Sequence, residues 1–210
     1  MENQIKNIIF DLGGVLINLD YKRSAIAFEQ LGITSFDRIY NQKKQEHLFD
    51  DFEKGVLSEA AFRNEIRIFL KNQVMDDEID NAWNAMLLDI PDDRIQLLHH
   101  LKTKYRIFLL SNTNAIHVKS FSSALLQKHG VPVLDNLFEQ VYYSCFMKMR
   151  KPDAEIFNHV LKENKLDPSS TIFIDDSLQH VEGAEKTGIK SYLLKEGQQI
   201  NELVTELKLL

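Results

Sequence analysis

Five short apolar runs constrain this chain more than anything else in it. They are IIF at 8–10, RIFLL at 106–110, QVYYSC at 140–145, TIFI at 171–174 and SYLL at 191–194. Their apolar character is continuous instead of alternating, which suits parallel strands covered on both faces. Segments of helical period lie between them. Leu97, Leu101 and Tyr105 recur at steps of four behind Pro91 and Asp92, a fitting helix start. Phe157, Val160 and Leu161 form another face, and Asp167-Pro168 punctuates the approach to TIFI. From residue 92 onward strand and helix alternate, the pattern of an α/β fold with a doubly wound parallel sheet. The tail INELVTELKLL puts Ile200, Leu203 and Leu207 on one stripe and is expected to pack on that sheet.

The interval 18–90 reads differently, with helical faces and no convincing strand. Tyr21, Ala25 and Phe28 share a stripe that Gly32 can end. Phe62, Ile66, Phe69 and Leu70 form a second stripe, with Ser58 as its N-cap. The expected organisation is an α/β core from residues 1–17 and 91–210, interrupted after its first strand by a helical insert, 18–90. At 210 residues and 44% hydrophobic, the chain suits one domain with a modest insertion.

Composition narrows the function classes. The net charge of −6 argues against a duplex nucleic-acid binder, which carries a basic surplus. A single cysteine, Cys145, excludes an intrachain disulfide and argues against a cysteine zinc site. No apolar run approaches the ~20 residues of a membrane span. The start MENQIKNIIF has an early Glu and no signal-peptide core. These features lead to the expectation of a cytoplasmic protein, a monomer or homodimer, without nucleic-acid or membrane partners.

In an open parallel sheet, ligands sit outside the carboxyl ends of the strands. Three of the runs end in oxygen-bearing groups: IIF at Asp11, IFLL at Ser111-Asn112-Thr113-Asn114, and TIFI at Asp175-Asp176. Singly, each has an ordinary explanation as a turn, loop or helix-start residue. Together, on neighbouring strands, they would crowd carboxylates at one rim, and their mutual repulsion would raise their pKa values. A divalent cation relieves that repulsion, and hard oxygen ligands without His or Cys point to Mg²⁺. Lys151, in MRKPDAEIF, is a point charge suited to a phosphate.

The order of Asp11 in FDLGGVL, Ser111 in LLSNTN, Lys151 in MRKPDAEIF and Asp175-Asp176 in FIDDSLQHVEGAEKTG resembles the four motifs of the haloacid dehalogenase-like hydrolases. The resemblance spans nearly the whole chain, with the helical insert where that family carries a cap. Within the family it is most similar to small bacterial sugar phosphatases of the α-D-glucose-1-phosphate type. The resemblance implies a Rossmann-like core and a small phosphorylated metabolite as substrate. It also implies roles: Asp11 as the nucleophile forming an aspartyl phosphate, Ser111 and the Asn112 amide on phosphoryl oxygens, and Lys151 neutralising charge. Asp11, the Gly13 carbonyl and Asp176 would hold Mg²⁺, with Asp175 close by or acting through water. The chemistry agrees, since a carboxylate attacking a phosphate needs cations and oriented donors to offset repulsion.

One departure from that family pattern matters. Its usual first motif carries a second Asp two positions after the first, for protonating the leaving oxygen; here that position is Gly13. General acid–base help contributes about 10²–10⁴-fold. Three consequences are open: substrates with good leaving groups, a proton donor elsewhere (Asn114 and His117 are at hand), or a phospho-ligand-binding protein of the same fold that turns over poorly. His180 is expected to face solvent or orient a loop, with a minor role beside the metal site as the alternative. In the insert, EHLFDDFEKG offers His47, Phe49 and Glu53 as specificity contacts, and Trp83 is expected in its apolar core.

Overall fold

A computed structural model describes residues 4–33, 40–41, 44–45, 47–70, 73–130 and 132–210; of residues 40, 41, 44, 45, 47 and 133 it describes the backbone alone. Five strands form the main sheet: β1 (Asn7–Phe10), β2 (Arg106–Ser111), β3 (Gln140–Tyr143), β4 (Thr171–Asp175) and β5 (Lys190–Leu193). Their order is β3-β2-β1-β4-β5, and every pairing is parallel. β1 is therefore central, with the chain winding outward first through β2 and β3, then returning to its other side through β4. That reversal creates the crevice where such sheets bind ligands.

The register fixes which groups meet at the rim. Phe10 is level with both Leu109 and Ile174. Asp11 follows, and its N–H donates to the Ile174 carbonyl at 2.9 Å. The carboxyl ends of β1, β2 and β4 thus arrive together.

Alternate residues of each strand feed opposite cores, which is why the runs are apolar throughout. Ile8, Phe10, Leu109, Ile172 and Ile174 pack with Leu97, Leu101, Phe121, Ile200 and Leu203 on one face. Ile9, Phe108, Leu110 and Phe173 pack with Phe157, Val160 and Ala184 on the other. The tail helix, Ile200–Glu206, joins the first of these cores as its stripe implied.

Among the described residues of 18–90 stand four helices, α1 (Tyr21–Gln30), α2 (His47–Glu53), α3 (Glu59–Ile68) and α4 (Asp76–Asn84), with a short antiparallel pair, Tyr40–Asn41 and Lys44–Gln45, where the sequence showed no convincing strand. The helices bury their own cluster of Phe28, Phe49, Phe52, Phe62, Ile66, Ile79 and Trp83. Phe52 stacks on Phe62 at 4.2 Å, and Trp83 stacks on Phe49 at 5.3 Å. Ile116, from the helix Ala115–His129 that follows β2, enters the same cluster and anchors it to the sheet body. No helix among the described residues is long and apolar enough to cross a membrane.

Three sequence expectations shift. The 140–145 run leaves the sheet at Tyr143; Ser144–Met147 turn into a short helix, whose first residue is held there by its Oγ, which donates to the Glu53 carbonyl (2.7 Å) and accepts from the Thr113 N–H (2.9 Å). Cys145 is consequently buried in that helix and not at a strand end. The second stripe holds at Phe62, Ile66 and Leu70, which pack in the helical cluster, but not at Phe69. α3 ends at Ile68, and Phe69 is 43% exposed because it lies beyond the last turn.

Candidate active site

The turn after β1 is tied to itself. Leu16 N–H and Ile17 N–H both donate to the Leu12 carbonyl, and Gly14 N–H donates to the Ile17 carbonyl. Gly14 has φ +73°, and a Cβ there would lie 2.1 Å from Asp176 Oδ2. The backbone of this turn thus runs directly beneath a carboxylate brought by β4, an approach only glycine allows. Gly13 has no such backbone demand; a Cβ would press on Leu19 Cδ1 at 2.9 Å.

Lys151 is fully buried. Its Nζ donates to Asp11 Oδ1 at 2.8 Å, Asp175 Oδ2 at 2.6 Å and the Leu110 carbonyl at 2.9 Å. Burial opposes its charge, yet the two carboxylates and their hydrogen bonds hold its pKa above the ordinary lysine value. Asn112 positions it: Asn112 Oδ1 accepts from the Lys151 N–H, and Asn112 Nδ2 donates to the Lys151 carbonyl, both at 2.9 Å. Asn112 therefore has a side-chain task that its sequence-assigned backbone amide did not reveal.

The acids are differentiated. Burial would raise the Asp175 carboxyl, but the Lys151 charge and the His180 hydrogen bond bring it down to about 2. Its oxygens are committed inward, to Lys151, to the Ser177 N–H at 2.8 Å and to His180 Nδ1 at 3.0 Å. Asp176 opens to the cavity, and burial followed by the charges of Asp11 and Asp175 pushes its carboxyl up to about 7. Asp11 is also raised, because burial outweighs the Lys151 ammonium. Carboxylate oxygens of Asp11, Asp175 and Asp176 all lie within 4.8 Å of one another. Clustered carboxylate oxygens that burial and mutual repulsion push toward protonation suit a hard divalent cation, and the all-oxygen donor set fits Mg²⁺.

Asp11 and Asp176 line one cavity of about 330 Å³, together with Gly13, Ser111, Asn112 and Thr113. Tyr21, Asp50, Glu53 and Arg150 line the same cavity. Arg150 Nη1 meets Asp50 Oδ1 at 2.7 Å, and Nη2 meets Glu53 Oε2 at 3.0 Å. The structure thus gathers Asp11, Gly13, Ser111, Asn112 and Asp176 around one space, with Lys151 and Asp175 directly behind it.

Other singled-out residues sort clearly. His180 neither faces solvent nor merely shapes a loop; it holds Asp175. Asn114 is buried and caps the next helix by accepting the His117 N–H. His117 lines the cavity but stacks on Trp83 at 4.8 Å, and burial lowers its pKa to about 4, although the Trp83 carbonyl at 3.3 Å works against the shift. Phe49 and Trp83 belong to the apolar cluster, so Phe49 is no substrate contact. The His47 side chain lies outside the described residues. Sequence reading missed Arg150, whose partners Asp50 and Glu53 come from a distant segment, and Tyr21, which lines the cavity from the first helix.

A model of the haloacid dehalogenase-like hydrolases matches residues 5–188, and the chain belongs to that family. A D-ribitol-5-phosphate phosphatase of Bacteroides thetaiotaomicron is 28% identical over 193 residues, which cover 92% of this chain and 93% of the relative. A crystal structure of a family enzyme from the same organism, in complex with magnesium and inorganic phosphate, superposes with a TM-score of 0.87 at 39% identity, covering 95% of this chain and 98% of that one. A family member from Porphyromonas gingivalis superposes with a TM-score of 0.85 at 32% identity, covering 98% of both chains. Within the family the protein is a phosphatase, a phosphoric monoester hydrolase of small phosphorylated substrates. The narrower likeness to glucose-1-phosphate phosphatases has no counterpart in these matches.

Proposed function

We propose that the protein is a Mg²⁺-dependent, cytoplasmic phosphatase of sugar or polyol phosphates that works through an aspartyl phosphate on Asp11. The observation that carries this reading is the Lys151 ammonium between Asp11 and Asp175, with Ser111 and Asp176 facing the same cavity. Lys151 keeps Asp11 oriented and offsets the charge of an incoming phosphate. Ser111 and the Asn112 amide hold phosphoryl oxygens, so attack by Asp11 is a matter of positioning. Asp11, the Gly13 carbonyl and Asp176 would hold Mg²⁺, which would supply positive charge against the phosphate and the clustered acids. Asp175 supports from behind through Lys151. Residues 18–90 serve as the cap that closes the cavity from above.

The cavity supports the substrate class. About 330 Å³ is at the small end of ligand pockets, which run about 300–1,000 Å³. Its polar wall of Asp50, Glu53, Arg150, Thr113 and Gln179 suits a hydroxyl-bearing substrate. That is also the chemistry of ribitol phosphate, on which a relative acts. The test is hydrolysis of p-nitrophenyl phosphate and of a panel of sugar and polyol phosphates, with Mg²⁺ and with chelator. Turnover that needs Mg²⁺ and favours the hydroxylated esters is expected. Binding without turnover would favour the phospho-ligand-binding alternative.

A further inference from the structure

We propose that Glu53, on the helix His47–Glu53, is the catalytic acid and base for the leaving oxygen, the task that residue 13 has no side chain to perform. This rests on the phosphatase reading above. Displacement at phosphorus puts the leaving oxygen in line with and opposite to the nucleophile. A phosphate seated on Asp11 at the strand ends therefore carries its ester oxygen away from those ends, into the cavity that Tyr21 and, from the helix His47–Glu53, Asp50 and Glu53 also line.

The other proton carriers around the cavity have commitments elsewhere. Asp11 and Asp176 belong to the cluster at the strand ends. His180 bonds Asp175. His117 spends Nε2 on the Trp83 carbonyl, which can only accept, and burial keeps the ring neutral. Tyr21 holds its proton far above neutral pH through burial and the nearby charges of Asp176, Asp11 and Glu53, so it cannot act as a base in the second step. Asp50 and Glu53 share Arg150, and of the two Glu53 is the more deeply buried, its side chain 11% exposed against 30%.

Glu53 is buried and fixed at both ends. Its carbonyl accepts from Ser144 Oγ at 2.7 Å, and Oε2 accepts from Arg150 Nη2 at 3.0 Å. Burial pushes its carboxyl up to about 7, against the Arg150 charge and with Asp50 adding to the rise. The groups facing it are Arg150 and Lys151 from the core, Tyr21 from the first helix, Cys145 from the short helix after β3, and Asp50 on its own helix. Near neutral pH it can both release and recover a proton, which the task requires.

The steps balance. An Asp11 oxygen bonds to phosphorus as the bond from phosphorus to the ester oxygen breaks; the ester oxygen keeps the electron pair and takes the Glu53 proton. The alcohol leaves, and Glu53 is a carboxylate. Glu53 then takes a proton from water as the water oxygen bonds to phosphorus, and the Asp11–phosphorus bond breaks with its electron pair returning to Asp11. The sum is ester plus water giving alcohol plus phosphate.

Glu53→Gln removes the proton and keeps the shape. On a polyol or sugar phosphate, whose alkoxide needs protonation, turnover is expected to fall by about 10²–10⁴-fold. On p-nitrophenyl phosphate, whose leaving group needs none, a burst of p-nitrophenolate is expected at the wild-type rate, followed by slow turnover. Asp50→Asn, which keeps the Glu53 carboxyl and removes only a neighbouring charge, is expected to cost the alkyl ester far less than Glu53→Gln does, and to give no burst on p-nitrophenyl phosphate. Equal losses without a burst in Glu53→Gln, or no loss on the alkyl ester, would overturn the proposal. Should Glu53→Gln not fold, Glu53→Asp keeps a carboxyl one methylene back; its loss must again fall more heavily on the alkyl ester, and an equal loss overturns the proposal. Asp11→Asn separates the two claims: full activity there would remove the phosphatase mechanism, whatever Glu53 does.

Discussion

Lys151 Nζ sits 2.6 Å from Asp175 Oδ2, and both side chains are fully buried. Asp11 completes the arrangement at 2.8 Å. One ammonium thus serves two carboxylates where water cannot screen any of them. Removing one partner of such a group leaves the other charges uncompensated and costs about 3–5 kcal/mol. Lys151→Met is therefore expected to lower the free energy of unfolding, read from urea melts, by that amount and to abolish hydrolysis of p-nitrophenyl phosphate. A variant as stable as the wild type would show that the buried ammonium does not balance the acids.

Adjacent glycines are expected to respond differently. Gly14 stands at φ +73° directly beneath Asp176, whereas Gly13 faces only the movable end of Leu19. Gly14→Ala combines left-handed strain of about 1–2 kcal/mol with a collision at a carboxylate the reading assigns to Mg²⁺. It is expected to lose both stability and Mg²⁺-dependent activity, while Gly13→Ala keeps most of each. Thermal melts and Mg²⁺ titrations of the two variants give the comparison; equal behaviour would contradict the placement of Asp176.

Glu53 makes stability depend on pH in a defined direction. Its folded pKa, about 7, lies above the ordinary 4.5. Between those values the folded chain binds more protons than the unfolded one, so Glu53 costs stability as pH rises through that window. The full difference corresponds to about 3 kcal/mol. Glu53→Gln has no such dependence, so its melting temperature relative to wild type is expected to climb between pH 5 and pH 8. A constant gap at both pH values would mean that the buried carboxyl is not strained.

The helical layer and the sheet body were legible in different degrees. Continuous apolar runs announced β1, β2 and β4, and the acids closing them announced the rim, because in a parallel sheet the end of a run is also a place in space. Ser144 broke that logic: the run QVYYSC is apolar enough for a strand, but the strand stops at Tyr143, and Ser144 is held by hydrogen bonds to Glu53 and Thr113, both remote in sequence. Phe69 continued an apolar stripe past a helix end that only packing decides. Arg150 stands beside Lys151 in the same motif, yet its partners Asp50 and Glu53 come from the helical layer. Pairings across such separations have no local signature, and His180 illustrates the same point at shorter range. Its five-residue offset from Asp175 becomes a contact through the turn at Ser177, whose N–H also bonds Asp175.

Asp11 as the nucleophile is the claim on which the mechanism turns. Acid-quenched wild-type protein, taken during steady-state turnover of p-nitrophenyl phosphate with Mg²⁺ and digested for mass spectrometry, addresses it directly. The account predicts a single phosphate adduct on the peptide carrying Asp11, absent in Asp11→Asn and absent when chelator replaces Mg²⁺. Undiminished turnover with no adduct on that peptide, or an adduct on a different residue, would contradict it.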